Sequence, residues 1–272
     1  MNLQSSDLPI ISVVTIVYNG IAYIERAIQS VLSQDYAGLQ YIVIDGGSTD
    51  GTVDLIKKYE GQLFCWVSER DQGISDAFNK GIKIATGELI GILNADDWYE
   101  QGALLEVAIA HRAAPQAVVH GRLRYWHDVQ APYYEFAGNE SRLKSYMSVN
   151  HATVFVPRII YEKCGVFDLK YRHAMDYDLM LRFKSAGVQF IYLDTVLANM
   201  LLEGVSDRQW LHTQKEIYTI RKNNGVGFVK NQKLLYAAVI KTVFRRCLER
   251  VGADALVEAY RRMTFGKDKV RL

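Results

Sequence analysis

The run Ile11-Ser12-Val13-Val14-Thr15-Ile16-Val17 is β-branched and almost wholly apolar. It breaks at Tyr18-Asn19-Gly20 into a helical pattern from Ala22 to Ser33, with Ile24, Ala27, Ile28, Val31 and Leu32 on one face. A strand apolar on both sides is buried on both faces, and a helix that follows it at once is the crossover of a parallel sheet. The unit recurs. Tyr41 to Asp45 predicts a second strand, with a loop at Gly46 to Gly51 and a helix from about Thr52 to Tyr59; Phe64 to Ser68 precedes a helix at Ile74 to Ala85, and Leu89 to Leu93 is a fourth strand. Such alternation predicts an α/β fold, with the loops gathered at the carboxyl ends of the strands, where open sheets bind ligands.

After a helix near Gln101 to Arg112 the rhythm changes. Shorter, more polar strands are expected at Ala117 to His127 and Tyr133 to Phe136, then a strand at Ala152 to Val156, a helix at Asp176 to Ala186 and a strand at Val188 to Leu193. The sheet is expected to become mixed there. From about Ser206 the pattern is helical nearly to the end, interrupted at Asn223 to Gly227. A chain of 272 residues can bury a full core. The expected organisation is one α/β domain over 1–206, with a first half at 9–112 and a second at 113–206, and a basic helical extension over 207–272.

Charge separates the two parts. Residues 1–207 hold 17 Lys+Arg against 25 Asp+Glu and residues 208–272 hold 15 against 5, so the net charges are −8 and +10. A basic, apolar-rich tail suits an anionic membrane surface, a nucleic acid or a phosphate-bearing partner, and equally a helix packed on the acidic domain. Cys65, Cys164 and Cys247 are odd in number and lack metal-site spacing, which suits free thiols in a reducing compartment. Met1 to Pro9 lacks the basic start and apolar core of a secretion signal, and no apolar run approaches the roughly 20 residues that span a bilayer. The expected location is cytoplasmic.

The strand Leu89 to Leu93 ends in Asn94-Ala95-Asp96-Asp97-Trp98. Two adjacent carboxylates repel, and a hard divalent cation with oxygen ligands keeps both ionised. A polar turn or a helix cap is the other reading. In the loop Asp45-Gly46-Gly47-Ser48-Thr49-Asp50-Gly51-Thr52, glycines allow a ligand to approach the backbone, and hydroxyls and amides stand at a helix start. It matches neither the phosphate-binding loop nor the dinucleotide pattern, and a capped tight turn is its alternative.

In order, Thr15 to Asn19, Val43 to Thr52, Asp71-Gln72-Gly73-Ile74-Ser75-Asp76-Ala77-Phe78-Asn79-Lys80-Gly81-Ile82, Ala85-Thr86-Gly87-Glu88 and Leu93 to Asp97 strongly resemble glycosyltransferase family 2, over roughly residues 9 to 206. The resemblance implies a GT-A fold with a mostly parallel central sheet flanked by helices, a nucleoside-diphosphate sugar as donor, Mg²⁺ or Mn²⁺, and inversion at the sugar's anomeric carbon. It further implies that Thr15, Tyr18, Asn19, Asp45, Gly46 and Ser48 line the nucleotide pocket, with Asp71, Asp76, Asn79 and Lys80 completing it. Asn94, Ala95 and Asp96 occupy the Asp-x-Asp position, with Asp96 as metal ligand and Asp97 as a second ligand or a helix cap. Gly46 and Asn94 stand where many relatives carry Asp, which weakens any assignment of the base as uracil.

The segment Tyr171 to Arg182 resembles the family's Glu-Asp-x-x-x-x-x-Arg region, which makes Asp176 the expected catalytic base, with Met175 in the Glu position and Asp178 as fallback. Read from its residues alone, Asp176 is a carboxylate favoured at a helix start by the dipole. His151 and His173 precede segments expected on the acceptor side, though a lone His is more often structural. Gly204-Val205-Ser206, with His212 nearby, resembles a loop that closes over the donor, and Trp98 and Trp126 are core residues unless they stack on a sugar.

The expected reaction moves a sugar from the nucleotide to the hydroxyl of a glycan or lipid-linked acceptor, in the assembly of bacterial surface polysaccharide or lipid-linked oligosaccharide. The tail would bring the chain to the inner face of the plasma membrane, and nucleic acid is not the expected partner. The rival readings are a catalytically degenerate nucleotide-sugar-binding scaffold, which explains Asn94, Gly46 and Met175 as decay, and a sugar nucleotidyltransferase, which wants a basic Gly-rich loop after the first strand that Thr15 to Gly20 does not provide.

Overall fold

In the computed structural model, which describes residues 8–128, 131–201, 209–250, 256 and 269–270, the first half follows the predicted alternation. Strands β1 (Ile11–Val17), β2 (Leu39–Asp45), β3 (Cys65–Ser68) and β4 (Leu89–Asn94) lie in the order β3-β2-β1-β4, all parallel. Helices α1 (Ile24–Leu32), α2 (Thr52–Lys57) and α3 (Ile74–Ile84) connect them. Every residue of β1 is buried: Val13 and Val17 pack into one apolar cluster with α1, and Val14 and Ile16 into another with α3. Helices on both faces are why β1 reads as a continuous apolar run. The approach of α3 to β1 requires Gly81, where a Cβ would lie 2.1 Å from Val14 Cγ1.

After β4 come a two-residue strand β5 (Trp98–Tyr99) and α4 (Ala103–Ala113). The strands β6 (Val118–Asp128), β7 (Ala131–Phe136), β8 (Phe155–Pro157) and β9 (Phe190–Leu201) then extend the sheet, with β8 antiparallel to β4 and β6, β7 antiparallel to β6, and β9 parallel to β6. The mixed sheet is as expected, with two revisions. The strand expected at Ala152 to Val156 gives its first residues to a 3-10 turn at His151–Thr153, because the Asn150 carboxamide accepts from Ala152 N–H and shapes a local turn. The strand expected to stop at Leu193 runs to Leu201, past an irregularity beside Gly121, where a Cβ would meet Leu197 at 2.7 Å.

Helix α5 (Arg158–Cys164) was not expected, whereas α6 (Met175–Ser185) matches its prediction closely. In the extension, α7 (Trp210–Asn223) packs on α6: Ile220 is fully buried, and Arg221 lies over the Tyr177 ring and donates to Tyr177 Oη and Ser145 O. Helix α8 (Phe228–Arg250) folds back along α7, with Asn231 donating to Tyr218 O at 2.9 Å near its start and Arg246 lying 5.3 Å over the Trp210 ring near its end. A last pair of residues, β10 (Lys269–Val270), lies antiparallel to β7. Among the described residues no helix is long and apolar enough to cross a membrane.

Candidate active site

The loops after β1 and β2 hold each other. Asn19, in the left-handed region at φ 48°, donates its N–H to Ser48 Oγ at 2.7 Å and accepts Thr49 N–H on Oδ1 at 2.9 Å. Gly20 N–H donates to Thr52 Oγ1 and Ile21 N–H to Asp50 Oδ2. Asp45, at the end of β2 and fully buried, accepts on one oxygen from Gly47 N–H, Ser48 N–H and Ser68 Oγ–H, and its other oxygen has no partner among the described residues. A Cβ on Gly46 would stand 2.4 Å from Asp71 Oδ2 and 3.4 Å from the Tyr18 ring. Tyr18, Asp45, Gly46 and Asp71 therefore meet, with Tyr18 exposed at the edge. An acidic side chain at position 46 would collide with the Asp71 carboxylate, which gives the glycine a steric reason.

Lys80 and Asp76 shape this region by holding loops. Lys80 Nζ pairs with Glu69 at 2.8 Å and donates to Arg70 O, while Asp76 accepts from Gln72 N–H. Two expected pocket residues point elsewhere. Thr15 is fully buried and accepts from Tyr41 Oη at 3.0 Å, so its hydroxyl joins β1 to β2 inside the sheet. Asn79 spends both ends of its carboxamide on the Phe167 backbone, at 2.9 and 3.0 Å, and so ties α3 to the loop after α5.

Asn94, Ala95, Asp96 and Asp97 turn tightly at the end of β4, with Asp97 N–H donating to Asn94 O. Arg26 of α1 fixes the turn: its guanidinium lies 3.8 Å over the Trp98 ring and donates to Asp96 O at 2.9 Å. Asp96 is partly exposed, whereas Asp97 is 1 % exposed and neither of its carboxylate oxygens meets a hydrogen-bond partner among the described residues. Burial first, and the Asp96 charge second, raise the Asp97 carboxyl well above the usual range. The helix-cap reading of Asp97 falls, because the strand β5 follows it directly. Trp98 and Trp126 pack against each other at 5.7 Å, and Trp126 Nε1 donates to Asn199, so both are structural here.

On the other side, Asp176 opens α6. One of its oxygens accepts the Tyr177 N–H at 2.7 Å, and the other lies 3.8 Å from His151 Nδ1. The far nitrogen of the same imidazole lies 3.0 Å from Asn94 Nδ2 and 3.7 Å from Asp97 Oδ2. One half-buried ring therefore touches both acidic groups, which are some eighty residues apart in the chain. With the Asn94 amide nitrogen against Nε2, the tautomer carrying its proton on Nδ1, toward Asp176, is the one that lets Asn94 donate. Burial pushes the Asp176 carboxyl up and the His151 imidazole down, and their mutual attraction opposes both shifts.

A cavity of about 190 Å³ opens beside Asp176, lined also by Tyr125, Tyr134, Phe136, Met147, Val149 and Asn150. Tyr125 and Tyr134 are stacked at 4.8 Å. Asp178, the fallback base, is 4 % exposed and bonded to Arg182 at 2.8 Å, with Arg182 also donating to Cys164 O and Val166 O, so it braces α6 against α5. His173 meets the rest of the protein through its backbone, His212 is exposed, and Gly204 to Ser206 lie outside the described residues. Arg26 and His151 carry more of the site than the sequence suggested. The one looks like an ordinary surface position of an amphipathic helix, and the other is a single histidine with no partner nearby in sequence.

Among the described residues no group of three or more His, Cys, Asp and Glu encloses a point where a metal could sit. The residues present still fit a cation of another kind. Mg²⁺ in nucleotide sites is commonly held by one or two carboxylates, the rest of its shell being water and substrate phosphate. Asp96, with the buried Asp97 carboxyl next to it, is such a donor set.

Against known proteins, residues 12–167 match the family model described as glycosyl transferase family 2. An uncharacterised glycosyltransferase of Rickettsia typhi is 28% identical over 203 residues, covering 70% of this chain and 63% of the relative. The chain thus spans about three fifths of the length of the Rickettsia relatives it matches. Among solved structures, S. aureus TarS 1-349 in complex with UDP-GlcNAc superposes with a TM-score of 0.64 at 17% identity, covering 84% of this chain and 71% of that one. The mannosyltransferase PcManGT from Pyrobaculum calidifontis, in complex with GDP-Man and Mn²⁺, gives 0.63 at 18%, covering 96% and 84%. Both likenesses concern the fold, a GT-A α/β sheet with a helical C-terminal region. With its family model matched over more than half of its length, this chain belongs to glycosyl transferase family 2.

Proposed function

We propose that this protein transfers a sugar from a nucleoside-diphosphate sugar to an acceptor hydroxyl, with inversion and with the help of a divalent cation. The observation that carries this reading is the meeting of Asp96-Asp97 and Asp176 around His151, at 3.7 and 3.8 Å from its two nitrogens. Inverting transfer needs two opposed functions: neutralisation of the departing diphosphate on one face of the sugar, and removal of a proton from the attacking hydroxyl on the other. The β4 turn and the start of α6 can supply one each.

The nucleotide sits among Tyr18, Asp45, Gly46 and Asp71, with the backbone of Asn19 and Ser48 shaping the rim. A divalent cation on Asp96 and the donor's own phosphates, with Asp97 beneath, would stabilise the negative charge on the leaving oxygen. Asp176, which lines the cavity, takes the acceptor's proton. The burial that raises its pKa makes it a stronger proton acceptor than an exposed carboxylate. His151, 3.8 Å from Asp176 Oδ2 and 3.7 Å from Asp97 Oδ2, keeps Asp176 and the β4 turn at a fixed separation. The acceptor ring lies on the Tyr125 and Tyr134 faces, since aromatic faces suit the C–H face of a sugar.

Helix α8 gives the protein a second surface. Phe228, Val229, Tyr236 and Ile240 are exposed among Lys230 and Lys233, a composition that suits peripheral contact with an anionic membrane and hence a lipid-linked acceptor in envelope polysaccharide assembly. Sedimentation with phosphatidylglycerol vesicles but not phosphatidylcholine vesicles is the expected result, and equal recovery with both removes the membrane from the reading. The transfer itself is tested by incubating the protein with UDP-glucose, UDP-GlcNAc and GDP-mannose, with and without Mn²⁺. Metal-dependent turnover of one donor that is lost in Asp176→Asn supports the proposal. A protein that binds these donors but turns over none of them supports the scaffold reading instead.

A further inference from the structure

Helix α6 begins at a residue that cannot cap it. Its N-cap is Ala174, which has no side-chain acceptor, yet the N–H groups of Arg172, His173 and Ala174 all converge on one carboxylate, that of Glu216 in α7. Arg172 donates to Oε1 at 3.0 Å, and His173 and Ala174 both donate to Oε2 at 2.9 Å. Three charge-assisted backbone bonds to one side chain hold a loop far more firmly than the usual single cap. The negative charge also lies at the positive end of α6. On the far side, Ser75 of α3 reaches Tyr171 O at 3.5 Å. The segment 171–174 is thus held between the donor half and the C-terminal extension, and the second residue after it is Asp176.

We infer that Glu216 is a positioning residue for the transfer reaction: through three backbone bonds it sets the start of α6 and so directs Asp176 at the cavity. The inference rests on the reading of Asp176 as base. Glu216 lies outside residues 12–167, so its role comes from this chain's own geometry. A general base works only within hydrogen-bond reach of its proton, and a displacement of about 1 Å can cost on the order of 100-fold in rate. Glu216 therefore acts on kcat and leaves donor affinity alone, because the nucleotide loops come from the other half of the molecule.

The test uses the full chain and, as probe, hydrolysis of whichever of UDP-glucose, UDP-GlcNAc and GDP-mannose it turns over fastest with Mn²⁺. Glu216→Ala is expected to lower kcat at least about 10-fold with donor KM within about 2-fold of wild type. Glu216→Gln, which keeps an acceptor oxygen, falls between the two. Hydrogen exchange at the amides of 172–174 accelerates in the same order. In an Asp176→Asn background, Glu216→Ala leaves the residual rate within about 2-fold, because the two act through one group. A full further loss in that background, a rise in donor KM that matches the fall in kcat, or a wild-type kcat in Glu216→Ala overturns the inference. Failure of the base reading is visible separately, as a wild-type rate in the Asp176→Asn single variant.

Discussion

From Ile11 to Ala113 the chain builds its half of the cleft from short units, each long strand ending in a loop that carries its own polar residues, with β1, β2 and β4 buried on both faces and β3 at the partly exposed edge. From Val118 to Leu201 it works with one long, irregular parallel pair, β6 and β9, flanked by the short antiparallel strands β7 and β8, and with charge pairs along it. Arg124 bonds both Glu100 and Glu135, and Arg122 bonds Glu135 and Asp194. In the first region the site residues sit in loops that close on themselves or on the adjoining loop, with Arg26 the long-range brace of the β4 turn: Asp45 organises the two residues that follow it, and Asp97 N–H closes the turn on Asn94 O. In the second they are placed from afar, as when Glu216 holds the segment before Asp176 from more than forty residues away. A local loop can be copied with its motif, whereas a carboxylate held from a distance needs the whole half of the protein around it.

The sharpest way to break this comparison is Asp176→Asn. Loss of the proposed base should lower kcat by about 100- to 10,000-fold while UDP or GDP binding, followed by calorimetry, stays close to wild type. A parallel loss of nucleotide binding would show that the two halves are not functionally separate. Next in size, Asp96→Ala should weaken Mn²⁺-supported nucleotide binding by about 10- to 100-fold and leave metal-free binding unchanged. Equal binding with and without Mn²⁺ in the wild type would remove the cation from the donor half.

Ile220→Ala tests whether the acceptor half depends on α7. Truncating this fully buried residue should cost about 2–4 kcal/mol in denaturant unfolding, and an effect below roughly 0.5 kcal/mol would mean that α7 is only loosely docked. The smallest effect concerns His120 of β6, fully buried with Glu140 at 3.6 Å, whose imidazole burial lowers to about 4. Between the ordinary histidine value of about 6.5 and about 4, the unfolded chain binds a proton that the folded chain refuses, so stability present above pH 6.5 is lost as the pH falls through this window. His120→Gln should flatten that decline, by on the order of 1–2 kcal/mol at pH 4, and an unchanged pH profile of melting would refute the assignment.

The donor half was nearly legible in the sequence because the information there is consecutive. A parallel strand covered on both faces shows an unbroken apolar run, and the polar residues right after it can only lie at its carboxyl end. The α6 helix and its Asp176 were found by a motif of the same local kind. What escaped were long-range partners: Arg26 stacked on Trp98 under the Asp96 turn, His151 between two carboxylates, and Glu216 at the α6 start. Thr15 and Asn79 failed as pocket residues for the complementary reason, since position along the chain places a residue near a site without saying which way its side chain turns.

What the sequence determined by itself is therefore the alternating architecture, the family and the positions of the two acidic segments along the chain, because periodicity and short motifs are properties of neighbours in the chain. Only the tertiary structure decided that one imidazole joins those segments, that Asp178 is committed to Arg182, and that the extension reaches back to hold the loop before Asp176. Hydrogen bonds and ion pairs between distant residues leave no periodic trace, and they form only once packing has brought their partners within about 3 to 4 Å.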